Sequence, residues 1–485
     1  MEPDKGMNRR NLVAAAASAP FALSVVPSGV LGGPARKAPS EKLNLACIGM
    51  GYQGLRMLGG LLKRQDVRVV AVCDPNTESR DYIGWGRRRG GTGFPGGREV
   101  GRRAVDAAYG RTQQRAGCGA YADFRELLAK EKDLDAVHIV TPDHLHATIA
   151  IAAMKQGKHA ATHKPISNVM YETRLAIETA RTTARATHLH AWFDIKRMYT
   201  VRHWIRQGAI GPVRQVHRWL AKPIWPQGSP ALPAGAPVPK GFDWDLWLGP
   251  VPHRPYSPRY THAVYRGWYE FGGGCLADMG NYGLWQDWRV LDLGAPRAAE
   301  GCASFTCEVR DFRSGVVRND VSFPHASTIR FSFPARGTMP ACEVFWYDGG
   351  MRPPTPEALI AEGKQMPARG TMFVGDEGVI LGGYFYEDAR ILPARRMRQV
   401  AQALKAPDVR TAGSSDEWIG AFRGGKPSRG DFQHAQHVAE AICLGNVALR
   451  LNTRLEWDAE KMRITNNPSA NTYLRRAEYR KGWEL

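Results

Sequence analysis

The sequence predicts an α/β fold: an N-terminal Rossmann domain built on a doubly wound parallel sheet, then a C-terminal α/β domain with a mainly antiparallel open sheet. Three observations carry this. The apolar run Asn44-Leu-Ala-Cys-Ile breaks into Gly49-Met-Gly-Tyr-Gln-Gly54, and a second apolar run, Val69-Val-Ala-Val-Cys, ends at Asp74. Apolar runs alternate with helical periods over residues 43–164, as βαβ units require. Beyond Gly211 the texture changes to two-residue alternation punctuated by Pro and Gly, the mark of antiparallel strands.

The glycine turn comes first. Asp74 follows Gly54 by twenty residues, the spacing of a dinucleotide-binding βαβ unit. Gly49 makes a tight turn, Gly51 lets the backbone approach a pyrophosphate, and Gly54 lets the helix over 52–64 sit close on its strand. The start of that helix offers unpaired N–H groups and a positive dipole end. The candidate cofactor residues here are Gly49, Met50, Gly51, Tyr52, Gln53, Gly54 and Asp74. Asp74 can accept hydrogen bonds from a ribose diol and would repel a 2′-phosphate, so NAD is favoured over NADP. In a chain with 52 glycines a lone match means little. The flanking strand, the amphipathic leucines (Leu55, Leu58, Leu61, Leu62) and the acid give it weight.

The Gly- and Arg-rich insertion over 84–119 reads as a loop plus a short helix at the cofactor edge. A helix from Tyr121, a strand over 135–142, a helix over 146–156 and a strand over 157–162 continue the first domain. Helices over 171–184 and 197–207 flank a short strand over 188–193. Strands over 213–222, 326–333, 341–346 and 371–374 belong to the second domain, and 431–444 is an amphipathic helix. The expected division is 1–39, 40–208 and 209–485. Residues 223–268 are rich in Pro, Trp and Tyr and follow neither period; a stretch of that length is often functional.

Residues 1–39 read as an export signal. Asn8-Arg9-Arg10-Asn11-Leu12-Val13 precedes an alanine-rich apolar run to Val26, then small residues and Pro. This is a twin-arginine-type signal, placing the protein in the periplasm or otherwise outside the cytoplasm. The run is too short and too rich in Ala and Ser to span a bilayer, and no other segment is apolar enough. The formal charge of +20 comes from scattered arginines rather than a basic stripe with a reader motif, which speaks against a nucleic-acid partner. None of the eight cysteines forms a C-x-x-C pair, so no metal site is expected. Cys47 and Cys73 read as core residues.

Ligands of open α/β sheets bind at the carboxyl ends of strands. Thr141-Pro-Asp-His-Leu-His146 and Thr162-His-Lys-Pro165 lie at two such ends. Thr141, Pro142, His144, His146 and Lys164 are therefore further candidate cofactor contacts, although the two histidines could instead cap the following helix. Lys164 could bond a substrate hydroxyl and lower the pKa of a neighbouring acid–base group; taken singly, a lysine there also reads as solvent-facing. In Glu270-Phe-Gly-Gly-Gly-Cys-Leu-Ala-Asp-Met-Gly-Asn-Tyr282, Asp278 and Tyr282 are four apart and share a face if a helix starts there. A carboxylate and a phenol so placed can bind a sugar diol and relay a proton; the plainer alternative is a helix cap and a packed ring. Trp225, Arg266 and Trp268 are candidate substrate contacts, with the aromatic rings stacking on a sugar.

Together these pieces resemble the Gfo/Idh/MocA oxidoreductases, from about residue 43 to the end. The motifs are Gly49-Met-Gly-Tyr-Gln-Gly54, Thr141-Pro-Asp-His-Leu-His146, Lys164-Pro165 and Gly272-Gly-Gly-x-x-x-Asp278-x-Gly280. Ile224-Trp-Pro-Gln-Gly228, Trp346-Tyr-Asp-Gly-Gly350 and Leu444-Gly-Asn-Val-Ala448 resemble the exported, twin-arginine branch. The resemblance implies an NAD(P)-dependent oxidoreductase moving hydride between nicotinamide and a secondary hydroxyl of a sugar, polyol or glycoside, and a homo-oligomer formed through the C-terminal sheet. It implies catalytic roles for Lys164 and Asp278. His163 stands where Glu usually precedes the lysine, Tyr282 where the acid–base His usually lies, and Trp285 where a further Asp is common. Tyr282 is then the candidate acid–base, provided Lys164 lowers its pKa. The alternatives are an NAD-dependent glycosidase or lyase working by transient oxidation and elimination, or a sugar-binding member without activity. Export of a folded chain further implies NAD captured before export and kept.

Overall fold

Among the described residues, strand and helix alternate through the first half of the chain, apart from one hairpin, in the computed structural model. It describes residues 41–84, 93–111, 117–193, 195–222, 227–317, 319–400, 404 and 413–485. The candidate export signal and Trp225 lie outside the described residues. In order, the elements are β1 (Leu43–Ile48), α1 (Tyr52–Leu61), β2 (Val67–Cys73), the hairpin β3 (Ser79–Tyr82) and β4 (Phe94–Gly96), α2 (Arg98–Arg111) and β5 (Gly119–Tyr121). Then follow α3 (Phe124–Lys130), β6 (Ala136–Ile139), α4 (His146–Lys155), β7 (His159–Thr162), α5 (Met170–Thr182), β8 (Thr187–Leu189) and α6 (Lys196–Arg206).

The six-stranded sheet has the order β5-β2-β1-β6-β7-β8, and every pairing in it is parallel. β1 shows why its sequence is a continuous apolar run. Leu43, Leu45 and Cys47 pack on one face with Leu58 and Leu61, while Ala46 and Ile48 pack on the other with Leu127 and Ile149. Strands covered on both faces lose the wet side that would make them alternate. The strand order reverses between β1 and β6, which opens the crevice at their carboxyl ends.

Two details differ from the sequence expectation. The insertion helix is long: α2 runs fourteen residues and packs against β2, as a crossover helix of the doubly wound fold does. Tyr121 ends β5 rather than opening a helix, because Asp123 caps α3 by accepting from the Arg125 amide.

The second half is dominated by a nine-stranded sheet. It comprises β9 (Val213–Trp219), β10 (Ala298–Ala303), β13 (Ser327–Phe333), β14 (Cys342–Asp348), β15 (Gly370–Gly375), β16 (Gly378–Gly382), β17 (Arg390–Leu392), β18 (Arg454–Asp458) and β19 (Arg463–Ile464). Its order is β17-β16-β15-β9-β14-β13-β10-β18-β19, with β9 and β14 parallel and the other pairs antiparallel. β11 (Thr306–Arg310) and β12 (Arg313–Val317) form a separate hairpin. The helix Phe432–Leu451 outruns its expected end at 444 and is buried nearly all round. It is wedged between β10 and β13 on one side and α5 on the other, which removes the need for a polar face. Residues 43–485 form one compact unit. The chain returns to the first sheet late, where Trp418 of the helix Ser414–Phe422 covers His138 and His188. All eight cysteines are free.

The irregular stretch between the domains builds a small core of its own. Trp244, Trp247, Tyr256, Tyr260, Tyr265, Trp268 and Phe271 pack together there. Aromatics that follow no period are needed here because they pack on each other, not on a sheet face.

Candidate active site

The glycine turn is shaped for close approach. Gly49 has φ +93°, and a side chain at Gly54 would meet the Gly49 carbonyl oxygen at 1.8 Å, so strand and helix pack at backbone distance. α1 starts with no side-chain cap and no acid in its first turn, leaving its amides for an anion. Gly49, Gly51, Tyr52, Gln53, Gly54 and Asp74 line a cleft of about 340 Å³, as do Thr141 and Pro142. The Asp74 carboxylate accepts from the amides of Met50 (2.7 Å) and Asn76 (2.8 Å). Burial nevertheless raises its pKa to about 6, the two hydrogen bonds only partly offsetting the desolvation. These residues fit NAD: open amides for a pyrophosphate and an acid at the end of β2 for a ribose diol.

Three expected cofactor contacts do not reach the cleft. Met50 is buried with its amide committed to Asp74. His144 is fully buried, its ring nitrogens at 3.3 Å from the Phe271 carbonyl oxygen and 2.9 Å from that of Trp247. His146 is held by the carbonyls of Pro165 and Thr141 at 2.7 and 2.8 Å. Both histidines therefore fasten the backbone around the cleft, and neither caps α4.

The other end of the motif list converges in the same cleft. Lys164 follows β7 and forms a buried ion pair with Asp278. Asp278 lies on a single π-helical turn, Leu276–Gly280, that runs into the helix Asn281–Leu291 carrying Tyr282. Such turns are local widenings that often mark functional sites. Lys222 Nζ stands 3.5 Å from Asp278 Oδ2, and Arg266 Nε stands 3.7 Å from Oδ1. Burial would raise the Asp278 pKa, but the Lys164, Arg266 and Lys222 charges outweigh it and hold the carboxyl well below its usual range. Burial lowers the Lys164 pKa, with Asp278 opposing. Tyr282 goes the other way from the sequence expectation. Burial, reinforced by the Asp278 charge, pushes its phenol well above the ordinary value, so it stays protonated at neutral pH.

Asp143, Tyr265 and Lys222 at this site were not picked out from the sequence, and His163 was noted there only as a departure from the family pattern. Asp143 accepts from the Tyr265 hydroxyl (3.0 Å) and the Gly273 amide (3.2 Å), and lies 3.9 Å from Arg266 Nη2. Gly272 of the triple glycine is required by close approach: a side chain there would strike the Arg266 backbone at 2.4 Å. Lys222 lies just past β9, and only its position at a strand end could have singled it out. His163 lines the cleft, and burial beside Lys164 keeps it neutral. Of the expected substrate contacts, Arg266 is in the cleft, whereas Trp268 is 1% exposed and donates from Nε1 to the Arg259 carbonyl. Trp285 is likewise core, edge-on to Trp192.

Among the described residues no group of three or more His, Cys, Asp or Glu could hold a metal, and no helix is long and apolar enough to cross a membrane.

Residues 43–190 match the model of the oxidoreductase family's NAD-binding Rossmann fold, and residues 213–287 match that of its C-terminal α/β domain. A glycosyl hydrolase family 109 protein of Stenotrophomonas maltophilia is 34% identical over 151 residues, 31% of this chain and 28% of the relative. Levoglucosan dehydrogenase of Pseudarthrobacter phenanthrenivorans is 34% identical over 113 residues, 22% of this chain and 28% of the relative. The chain thus spans less than a third of either curated relative. Among solved structures, the WlbA dehydrogenase of Bordetella pertussis, in complex with NADH and UDP-GlcNAcA, shares the fold with TM-score 0.53 at 13% identity, over 86% of this chain and 99% of that one. The aldose–aldose oxidoreductase of Caulobacter crescentus has TM-score 0.51 at 15% identity, over 86% and 100%. With residues 43–190 and 213–287 matching the two domain models and the glycine turn, Lys164 and Asp278 in one cleft, the chain belongs to the Gfo/Idh/MocA oxidoreductase family and is an NAD-binding member of it.

Proposed function

We propose that the protein transfers hydride between a tightly held NAD and a secondary hydroxyl of a sugar, polyol or glycoside. The observation that carries this reading is the gathering of Lys164, Arg266 and Lys222 around Asp278, with Tyr282 beside them, in the cleft that also holds the glycine turn. The amides of residues 51–54 would hold the pyrophosphate and Asp74 the ribose. A substrate oxygen beside Asp278 meets donors from several side chains, the setting that stabilises a developing alkoxide. In the ion pair Lys164 is an ammonium and accepts no proton; burial eases its deprotonation, and in the neutral form Nζ takes the hydroxyl proton while Asp278 orients the hydroxyl. Tyr282, protonated, donates a hydrogen bond to the same oxygen. The test is nicotinamide absorbance with a panel of sugars and glycosides. Reduction with at least one is expected; none, with NAD bound, overturns the reading.

The relatives described as glycosyl hydrolase family 109 proteins favour a second reading, in which the same residues serve a transient oxidation followed by elimination of a glycoside bond. Glycoside cleavage without net nicotinamide reduction would decide for it.

We also propose export through the twin-arginine-type start, with NAD retained, and a homo-oligomer through the nine-stranded sheet. In support of the oligomer, the cluster around Trp219, Met372 and Leu381 leaves Phe345, Val374 and Val379 only partly buried. Light scattering that finds a monomer at micromolar concentration would exclude it.

A further inference from the structure

The hairpin of β11 and β12 stands clear of the rest of the fold. Its two strands pack chiefly on each other, and every residue from 309 to 316 is exposed. Yet four of the ten exposed large hydrophobic residues among those described lie on it or at its base. They are Phe305 at 61% exposure, Val309 at 74%, Val316 at 60% and Phe312, which is fully exposed. A lone two-stranded hairpin is marginally stable in water, and an exposed apolar patch marks a contact surface. We propose that this hairpin is a docking arm that packs against the same arm of a second copy of the chain, apolar face on apolar face. The contact is separate from the one proposed through the nine-stranded sheet.

The register sorts the side chains. Residues directly opposite one another in an antiparallel pair point to the same face. Val309 with Ser314 and Cys307 with Val316 therefore share one face, and Glu308 with Gly315 and Arg310 with Arg313 the other. One face is apolar, the other carries the charges, and both are open to solvent.

The tip departs from what the fold needs. Asp311 and Phe312 form the two-residue loop, with φ +49° and +64°. Asp-Gly is a usual pair for such a loop. Phenylalanine at positive φ is strained, and its ring packs on nothing in its own chain. Arg310 and Arg313 stand directly opposite, a like-charge pairing that disfavours the hairpin. Neither feature helps the isolated chain to fold; both present side chains to a partner.

Charge and area identify that partner as a second copy. The chain carries +20, whereas residues 306–317 hold two arginines, Arg310 and Arg313, against two acids, Glu308 and Asp311. Two basic molecules repel each other least where their surfaces are neutral, and the two signs on each arm allow ion pairs between arms. An anionic bilayer, the other natural acceptor of an apolar tip, calls for a basic excess instead. The four apolar side chains offer on the order of 500 Å². Two arms together then bury about 1,000 Å², the threshold for a specific interface.

Cys307 lies on the apolar face and is exposed, which supplies a native probe. The experiment treats the purified full-length protein with NAD, at micromolar concentration, with a short bismaleimide. It uses a Cys302→Ser background, which removes the other exposed thiol. A covalent dimer is expected, and it should vanish when Cys307→Ser is added. Val309→Asp with Phe312→Asp is expected to lower its yield about tenfold. Both residues lie outside the catalytic cleft, so NAD binding should stay unchanged. Phe312→Gly relieves the positive φ, so Tm is expected to rise while the yield falls; a purely structural role would not separate the two. Light scattering distinguishes the two contacts. A dimer that cross-links uses the arm, a tetramer that cross-links uses arm and sheet, and a dimer that does not cross-link overturns the arm while sparing the sheet. A yield unchanged by Val309→Asp with Phe312→Asp would also overturn the proposal. So would sedimentation with phosphatidylglycerol vesicles that is lost in Phe312→Gly, which would assign the tip to a membrane.

Discussion

Lys164 Nζ lies 5.3 Å from the centroid of the Tyr282 ring, over its face. The ammonium thus meets the π system of the ring, while Asp278 adds a negative charge that disfavours a phenolate. Tyr282→Phe should therefore lower kcat by about tenfold, the loss of one hydrogen bond to the reacting oxygen, without moving the pH profile. Lys164→Met should lower it by about 10³-fold or more. A pH–rate profile that shifts in Tyr282→Phe would restore the phenol as the proton acceptor.

Asp74 should make NAD binding pH-dependent. Its folded pKa is raised to about 6 from an ordinary 3.8, so the carboxylate predominates at pH 7 and the neutral acid below 6. A neutral acid is a weaker acceptor for a ribose diol, so affinity should fall as pH drops through 6. The stability sign is the reverse: the folded state binds the proton more tightly, so burying Asp74 destabilises the protein as pH rises through 6, by about 3 kcal/mol at neutral pH. Calorimetric titration of NAD at pH 5 and 7.5 checks the first effect; equal affinity at both would refute it.

The NAD should survive gel filtration with the protein, since the turn is expected to capture it before export. Absorbance and mass of the nucleotide released on denaturation measure this. Protein that emerges without nucleotide after mild purification would argue against a captive cofactor.

Acid should unfold the protein through a buried histidine row. His138 and His190 stand 4.8 Å apart, and His188 and His190 4.9 Å, by ring centroids. Burial lowers the pKa of His138 to about 4 and of His188 to about 3, and places His190 well below its usual value. Below an unfolded pKa of 6.5 the unfolded chain binds protons that the folded chain refuses, so stability falls with pH. The slope for three such groups is about 4 kcal/mol per pH unit. Tm measured from pH 7 to 5 should drop steeply, and less so in His190→Gln.

Arg218 and Asp287 are fully buried and paired through two hydrogen bonds of 2.6 Å, with the Tyr386 hydroxyl on the same carboxylate at 2.8 Å. The pair joins β9 to the helix of Tyr282. Arg218→Leu should cost about 3–5 kcal/mol in urea unfolding by stranding the carboxylate, and Arg218→Met with Asp287→Leu should cost less. A double variant as damaging as the single one would show that the pair itself, not the stranded charge, carries the stability.

The parallel sheet, the glycine turn and the acid at the end of β2 were legible in the sequence because each depends on residues within about thirty positions, where spacing is geometry. Lys164 and Asp278 were legible as candidates, since strand ends and glycine runs mark places where backbone and ligand meet. Their pairing was not: 114 residues separate them, and only the tertiary fold sets the segment after β7 beside the π turn. The same holds for Lys222 and Asp143, whose importance lies in partners far along the chain. His144, His146 and Trp268 carry residue types that suggest ligands, yet the tertiary structure spends them on backbone carbonyls. The charge states around the proposed reacting position depend on the fold alone. A phenol, an ammonium and a carboxylate fix one another's charge through burial and distance, quantities that a linear sequence does not contain.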